Sequence, residues 1–193
     1  ASHPGWALNY FFREKFELAE LKDYVDQGSN VAVSIGDYFG SMLDQSMNWD
    51  DAAALKEKWG GPFCLKGIMS VADARKAVEI GADAIMVSNH GGRQLDGSRS
   101  PFDLTAQLPD AVCDAIDDIL YGGVRRRTHV RKEKATGAKA CSGGRMYLYA
   151  LAAAGQPGVE RALNNLKTEI ERDMRLLGVS NISQINREML RHR

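Results

Sequence analysis

An α/β fold built on a parallel sheet is what the sequence predicts, and three observations carry it. Four times, a short apolar run ends in glycine-rich sequence and is followed by a helical segment. The side chains able to do chemistry fall where those runs end. The chain, at 193 residues, is long enough to bury a core. Strand, glycine and helix in alternation are the mark of β/α units. The carboxyl ends of such strands are where β/α barrels place their chemistry. Alternation by itself fits a closed barrel and an open doubly wound sheet equally.

The elements follow in order. Residues 16–25 have helical spacing, and residues 28–40 read as an irregular loop. Asn48-Trp49-Asp50 can cap a helix over 52–59. Gly60-Gly61-Pro62 leads into a strand over 63–65 that ends at Lys66-Gly67. Ser70 caps a helix over 71–80, and Gly81 stops it. A second strand over 84–87 runs into Ser88-Asn89-His90-Gly91-Gly92-Arg93-Gln94-Leu95-Asp96. A helical stretch over 103–115 is interrupted by Pro109. A third strand over 116–120 ends at Gly122-Gly123, and a polar helix over 128–136 stops at Gly137. A fourth strand over 139–142 ends at Gly143-Gly144-Arg145, where a helix starts. Pro157 then opens a long helix whose Val159, Leu163, Leu166, Ile170, Met174 and Leu177 form one apolar stripe.

Composition narrows the function classes. Lysine plus arginine equals aspartate plus glutamate at 25 each, so no overall field draws the chain to nucleic acid, and no nucleic-acid partner is expected. The three cysteines, Cys64, Cys113 and Cys141, are widely spaced. They read as buried, inert thiols of a reducing compartment, with no metal site. The most apolar stretch, residues 148–154, is far shorter than the ~20 residues that span a bilayer. A cytoplasmic location is expected, with room for peripheral attachment at the inner membrane face.

The run after the second strand carries the sharpest chemistry. His90 is a candidate base, because an imidazole can sit neutral near pH 7 and then hold a proton. Arg93 is a candidate clamp for a carboxylate, through two parallel hydrogen bonds. The neighbouring glycines let backbone approach a ligand. His129, near a helix start, is expected to be solvated, and His3 is given no chemistry.

The nonapeptide Ser88–Asp96 resembles the active-site signature of the FMN-dependent α-hydroxy acid dehydrogenases and oxidases, and the chain resembles the L-lactate dehydrogenase branch most. The resemblance implies a (β/α)8 TIM barrel, of which this chain would supply the C-terminal four β/α units. Residues 1–61 would lead into the barrel, 62–179 would form its FMN-binding half, and 180–193 would be a helical tail. It implies oxidation of a small L-2-hydroxy acid, such as L-lactate to pyruvate, with FMN as cofactor. His90 would be catalytic and would touch substrate together with Arg93. Lys66, Ser88, Gly122, Gly123, Arg125, Gly144 and Arg145 would hold FMN, with Lys66 at the ring and the arginines at the phosphate. The electron acceptor, whether quinone, cytochrome or oxygen, has no motif here.

The sequence departs from the family at marked places. Tyr121 stands where aspartate normally holds the ribityl hydroxyls. Arg127 stands where glycine is usual, and is strained there if the position needs a positive φ. Asp118 falls in a strand that should be apolar on both faces. The resemblance leaves out the family's first strands, so the chain is expected to pair with a missing N-terminal half or to form a homo-oligomer. The alternative reading is a half-barrel without catalysis that keeps a phosphate or flavin site.

Overall fold

Parallel strands need crossovers, and the sequence spends its amphipathic segments on them. The structure is a computed structural model, and it describes residues 3–13, 40–112 and 115–190. The helix expected over 16–25, most of the loop over 28–40 and Cys113 lie outside the described residues. The chain forms two compact units, residues 1–48 and 49–193. The first contains α1 (Pro4–Phe12), opened by proline in its first turn.

The second unit begins with α2 (Trp49–Trp59). Asp50 and Asp51 sit in its first turn and Lys56 and Lys58 in its last, matching the helix dipole at both ends. Lys56 Nζ lies 2.9 Å from Asp83 Oδ2, and the same oxygen accepts the Phe63 N–H at 2.8 Å. That carboxylate ties α2 to the start of the sheet. Strand β1 (Cys64–Lys66) follows, then α3 (Val71–Glu79), whose Ser70 cap accepts the Asp73 N–H at 3.0 Å. Next come β2 (Ala84–Val87), two short helices α4 (Pro101–Thr105) and α5 (Leu108–Val112), and β3 (Asp117–Tyr121). Pro109 falls in the first turn of α5, so the break comes two residues before it, at Ala106-Gln107. Then follow α6 (Arg127–Ala135), β4 (Ala140–Ser142) and α7 (Arg145–Leu177). Helix α7 breaks at Ala154 and Gly155 and resumes with Pro157 in its new first turn.

All three strand pairs are parallel, in the order β1-β2-β3-β4. Sequential strands lie side by side, as consecutive units of a β/α barrel do. The core lies between sheet and helices. Ile85, Val87 and Leu120 meet Leu104 and Leu108, with Ala74 and Ala77 of α3 letting that helix approach closely. On the opposite face, Met86 and Ile119 are half-buried, while Cys64 and Ala140 are exposed. Cys64 is therefore not the buried thiol expected. It begins an outer strand and faces the uncovered side of the sheet.

Helix α6 joins the sheet through polar groups, which explains its missing apolar stripe. Asp118 is buried in β3, with Oδ1 accepting the Lys139 N–H at 3.2 Å and Oδ2 without a partner. Glu133 of α6 is buried as well, and its carboxyl takes a hydrogen bond from the Cys141 thiol. Burial pushes Glu133 up to about 7 and raises Asp118 and Cys141 too. On the outer side, Arg127 Nε lies 3.0 Å from Asp173 Oδ1, joining α6 to α7. Arg127 is the first residue of α6, and the only non-glycine residue with positive φ among those described is His90. Arg127 thus carries no left-handed strain. The helix simply starts there, and its side chain turns to Asp173.

This seam makes stability depend on pH. Glu133 holds its proton more tightly folded than unfolded, so the folded chain binds more protons between the ordinary carboxylate range and about 7. Stability is then highest below that window and falls as pH rises through it, with Asp118 adding in the same sense. Urea midpoints should drop between about pH 5 and about pH 8, and Glu133→Gln should flatten the drop. Equal slopes in wild type and variant would clear Glu133 of that role.

Candidate active site

Four strand ends converge on one edge of the sheet because all four strands are parallel. Lys66 is the last residue of β1, Ser88 follows β2, Tyr121 ends β3, and Gly144-Arg145 follows β4. The predicted residues that meet do so across these ends.

The turn after β2 is the most constrained. Ser88 is 3% exposed, and its Oγ accepts the His90 N–H at 3.2 Å. Asn89 Oδ1 accepts the Gly91 N–H at 3.0 Å, while its Nδ2 donates to the Arg99 carbonyl at 3.2 Å. Arg99 in turn donates to the Asp103 carbonyl at 2.6 Å and to Gln107 Oε1 at 3.1 Å. Held this way, His90 adopts φ +56°. A left-handed histidine costs energy, and it persists where the surroundings over-determine it. The result is an exposed imidazole on a short 3₁₀ turn, His90–Gly92, with exposed Arg93 closing the turn. Asn89 was quoted in the motif but given no role. Its hydrogen-bonding to its own turn is a property of the residue type that could have flagged it.

Arg145 reaches this turn from the far strand. A Cβ on Gly91 would lie 2.7 Å from one of its guanidinium nitrogens, so the glycine makes room for the charge. Gly91 also has φ +69°, which a side chain would strain. Between the outer strands lies Tyr121. Lys66 Nζ sits 5.1 Å from the centre of its ring, a cation–π contact. Its hydroxyl presses on Gly144, where a Cβ would lie 2.7 Å away. Gly122 packs on Pro101, and Gly123 adopts φ +74°.

His129, expected to be solvated, is half-buried and is held at one ring nitrogen. Its Nδ1 lies 3.2 Å from the Arg125 backbone nitrogen and 2.8 Å from the Gly123 carbonyl oxygen. One tautomer accepts from Arg125 and the other donates to Gly123, so the ring pins the loop after β3 in either state. The four-residue spacing back from α6 onto its own entry loop was the available signal.

The arrangement suits an anionic, phosphate-bearing flavin at two of its three parts. Lys66 and Arg145 offer cations at the mouth. Gly123, with open space where a Cβ would stand, leaves backbone free for close approach, whereas Gly144 is covered by the Tyr121 hydroxyl. At the third part, where the resemblance implies a carboxylate for the ribityl group, the Tyr121 ring occupies the space between Lys66 and Gly144 and offers none. A separate apolar cavity of about 560 Å³, lined by Val130, Cys141, Met146, Leu163, Leu166 and Ile170 among others, lies beside β4. None of the predicted site residues lines it.

Comparison with known proteins places the chain. The family described as FMN-dependent dehydrogenase matches residues 1–192. The L-lactate dehydrogenase of Alcaligenes faecalis is 41% identical over 189 residues, covering 97% of this chain and 50% of that protein. Among solved structures, a flavocytochrome b2 variant with sulfite bound is 41% identical with a TM-score of 0.73, over 76% of this chain and 39% of that one. The monotopic membrane protein (S)-mandelate dehydrogenase is 31% identical with a TM-score of 0.86, over 99% of this chain and 50% of that one. The chain spans about half the length of the curated relatives it matches.

Tyr121 supplies a direct test of the cradle. Tyr121→Asp removes the ring and adds a charged acceptor, and hydrogen bonds to charged groups are worth about 1.5–3 kcal/mol. FMN titrated by fluorescence quenching should bind roughly tenfold tighter or better to the variant. Weaker binding would mean that the tyrosine ring itself holds the ligand.

Proposed function

The chain belongs to the FMN-dependent dehydrogenase family, and from that premise we propose that it forms the catalytic C-terminal half of a β/α barrel that oxidises a small L-2-hydroxy acid, L-lactate first among them, to the 2-oxo acid. The observation that carries the reading is the constrained turn holding His90 and Arg93 at the sheet edge, with Arg145 brought over Gly91.

The oxidation removes two electrons and two protons from the substrate's carbinol group. FMN, when bound, would accept both electrons and one of the two protons. His90 takes a proton, and its left-handed backbone fixes where the imidazole stands. Arg93 grips the substrate carboxylate, and its fork fits two oxygens at once. Lys66 would set its charge at the flavin ring, and Ser88 would add a hydrogen bond there. Gly122, Gly123 and Arg125 after β3 and Gly144 and Arg145 after β4 would hold the cofactor, the two arginines at its phosphate. Arg145 also places positive charge beside the substrate turn, through its position over Gly91.

The exposed Cys64 and Ala140 and half-buried Met86 and Ile119 on the inner sheet face support a second half-barrel as cover, from the same longer chain or from a partner. No helix among the described residues is long and apolar enough to cross a membrane. The likeness to a monotopic membrane protein, 31% identical over 99% of this chain, supports peripheral attachment, which we place at the inner membrane face. Tyr121 in the ribityl space supports one other reading, a half-barrel that keeps the phosphate site without turnover.

The purified protein should show a visible flavin band that L-lactate bleaches. His90→Asn should leave the band and cut turnover by about 10² to 10⁴. A colourless protein indifferent to lactate would favour the non-catalytic reading. A variant within a few-fold of wild type would remove His90 from the role of base.

A further inference from the structure

The apolar cavity beside β4 takes no part in the chemistry described so far. Its volume of about 560 Å³ falls within the ~300–1,000 Å³ of sites that take small molecules. Helix α6 walls it through Val130, β4 through Cys141, and α7 through Met146, Leu163, Leu166 and Ile170. The last three lie on the apolar stripe that runs along α7. That stripe stays out of the core between the sheet and α3 to α5, and Leu163 is 49% exposed. A hollow stands where packed side chains would be the rule.

The polar side chains around the hollow narrow what can fill it. Cys141 and Ser183 have their hydrogens engaged, the thiol on Glu133 and Ser183 Oγ on Asn181 Oδ1 at 3.0 Å. Lys134 and Lys139 bring positive charge. Lys134 Nζ donates to the Ala138 carbonyl at 3.0 Å, and Lys139 Nζ lies 3.9 Å from Asp117 Oδ1, a loose ion pair. An ammonium has three donors, so both lysines keep hydrogens to give. No aspartate or glutamate is among the residues that line the hollow. The buried carboxyls next to it, Glu133 on Cys141 and Asp118 on Lys139, are pushed by burial toward their neutral forms.

Aliphatic walls with positive charge at their edge and no negative charge select a hydrocarbon body with one anionic head. A strongly polar molecule would lose its water against those walls without compensation. We propose that the cavity is a binding site for a medium-length aliphatic carboxylic acid, its chain among Val130, Leu163, Leu166 and Ile170 and its carboxylate toward Lys134 and Lys139. The site is independent of the oxidation proposed above, since none of the residues assigned to that chemistry lines it. The acid is therefore a ligand and not a substrate.

The test titrates the full chain with octanoate, decanoate and decanol and follows amide chemical shifts. Saturable shifts should appear at 130–134, 140–143 and 163–170 and leave His90–Arg93 unmoved. Affinity should rise about fourfold for each CH₂ added to the acid. Decanoate should bind about fivefold tighter than decanol, or better. The double variant Lys134→Met, Lys139→Met should erase that preference and still bind decanol. Leu166→Trp, which fills the hollow, should abolish the binding of both. Decanol binding as tightly as decanoate to the wild type would overturn the acid as occupant. Shifts at His90–Arg93, or displacement of decanoate by pyruvate, would put the acid in the hydroxy acid site and overturn the cavity as its place. Absence of any saturable shift would overturn the site itself. If the same amides then move with protein concentration, the occupant is a second copy of the chain.

Discussion

A histidine backbone held in the left-handed region is the constraint on which the site depends. His90 sits at φ +56° because Ser88 Oγ and Asn89 Oδ1 take the two N–H groups on either side of its carbonyl. Asn89 is anchored in turn through Arg99 to the start of the next crossover. Without those bonds the turn would relax to an ordinary conformation, and the imidazole would leave the sheet edge. The strain is held by the parallel sheet, which fixes Ser88 at a buried strand end. Gly91 then does two things at once. It accepts a positive φ and leaves room for Arg145, so the second and fourth strand ends meet.

The loop after β3 is organised by different means. Where the family resemblance implies an aspartate for the ribityl group, this chain has Tyr121, spread between Lys66 and Gly144. Close behind it, His129 pins Gly123 and Arg125, and Arg127 is drawn outward to Asp173. The α6 helix below buries Glu133 against the Cys141 thiol, with Ala135 as its buried apolar residue. The loop after β3 and the protonation-sensitive seam thus belong to one β/α unit, so changes in the seam bear on the loop that leads into α6.

Much of this was legible in the sequence, for local reasons. The Ser70 cap, the Gly81 stop and the four strand ends follow from turn chemistry and periodicity within a few residues. So does the buried carboxylate of Asp118, which a parallel strand has no room to expose. Contacts between distant residues were not legible. Nothing local says that Arg145 lies over Gly91, or that Glu133 meets Cys141. The exposure of Cys64 depends on what covers the inner face of the sheet, which a hydropathy pattern does not record. His129 read as solvent-facing because its partners are backbone groups of its own loop, which only its four-residue spacing from Arg125 signals. Arg127 read as strained only if its position needed a positive φ, and the helix that starts there needs none.

The central claim is that four strand ends form a single site for a hydroxy or keto acid. Amide chemical-shift mapping with pyruvate tests it most directly. Saturable shifts should appear together at His90–Arg93 after β2 and at Gly144-Arg145 after β4, and should fade when Arg93 is replaced by methionine. Shifts confined to one strand end, or to the apolar cavity beside β4, would contradict the account.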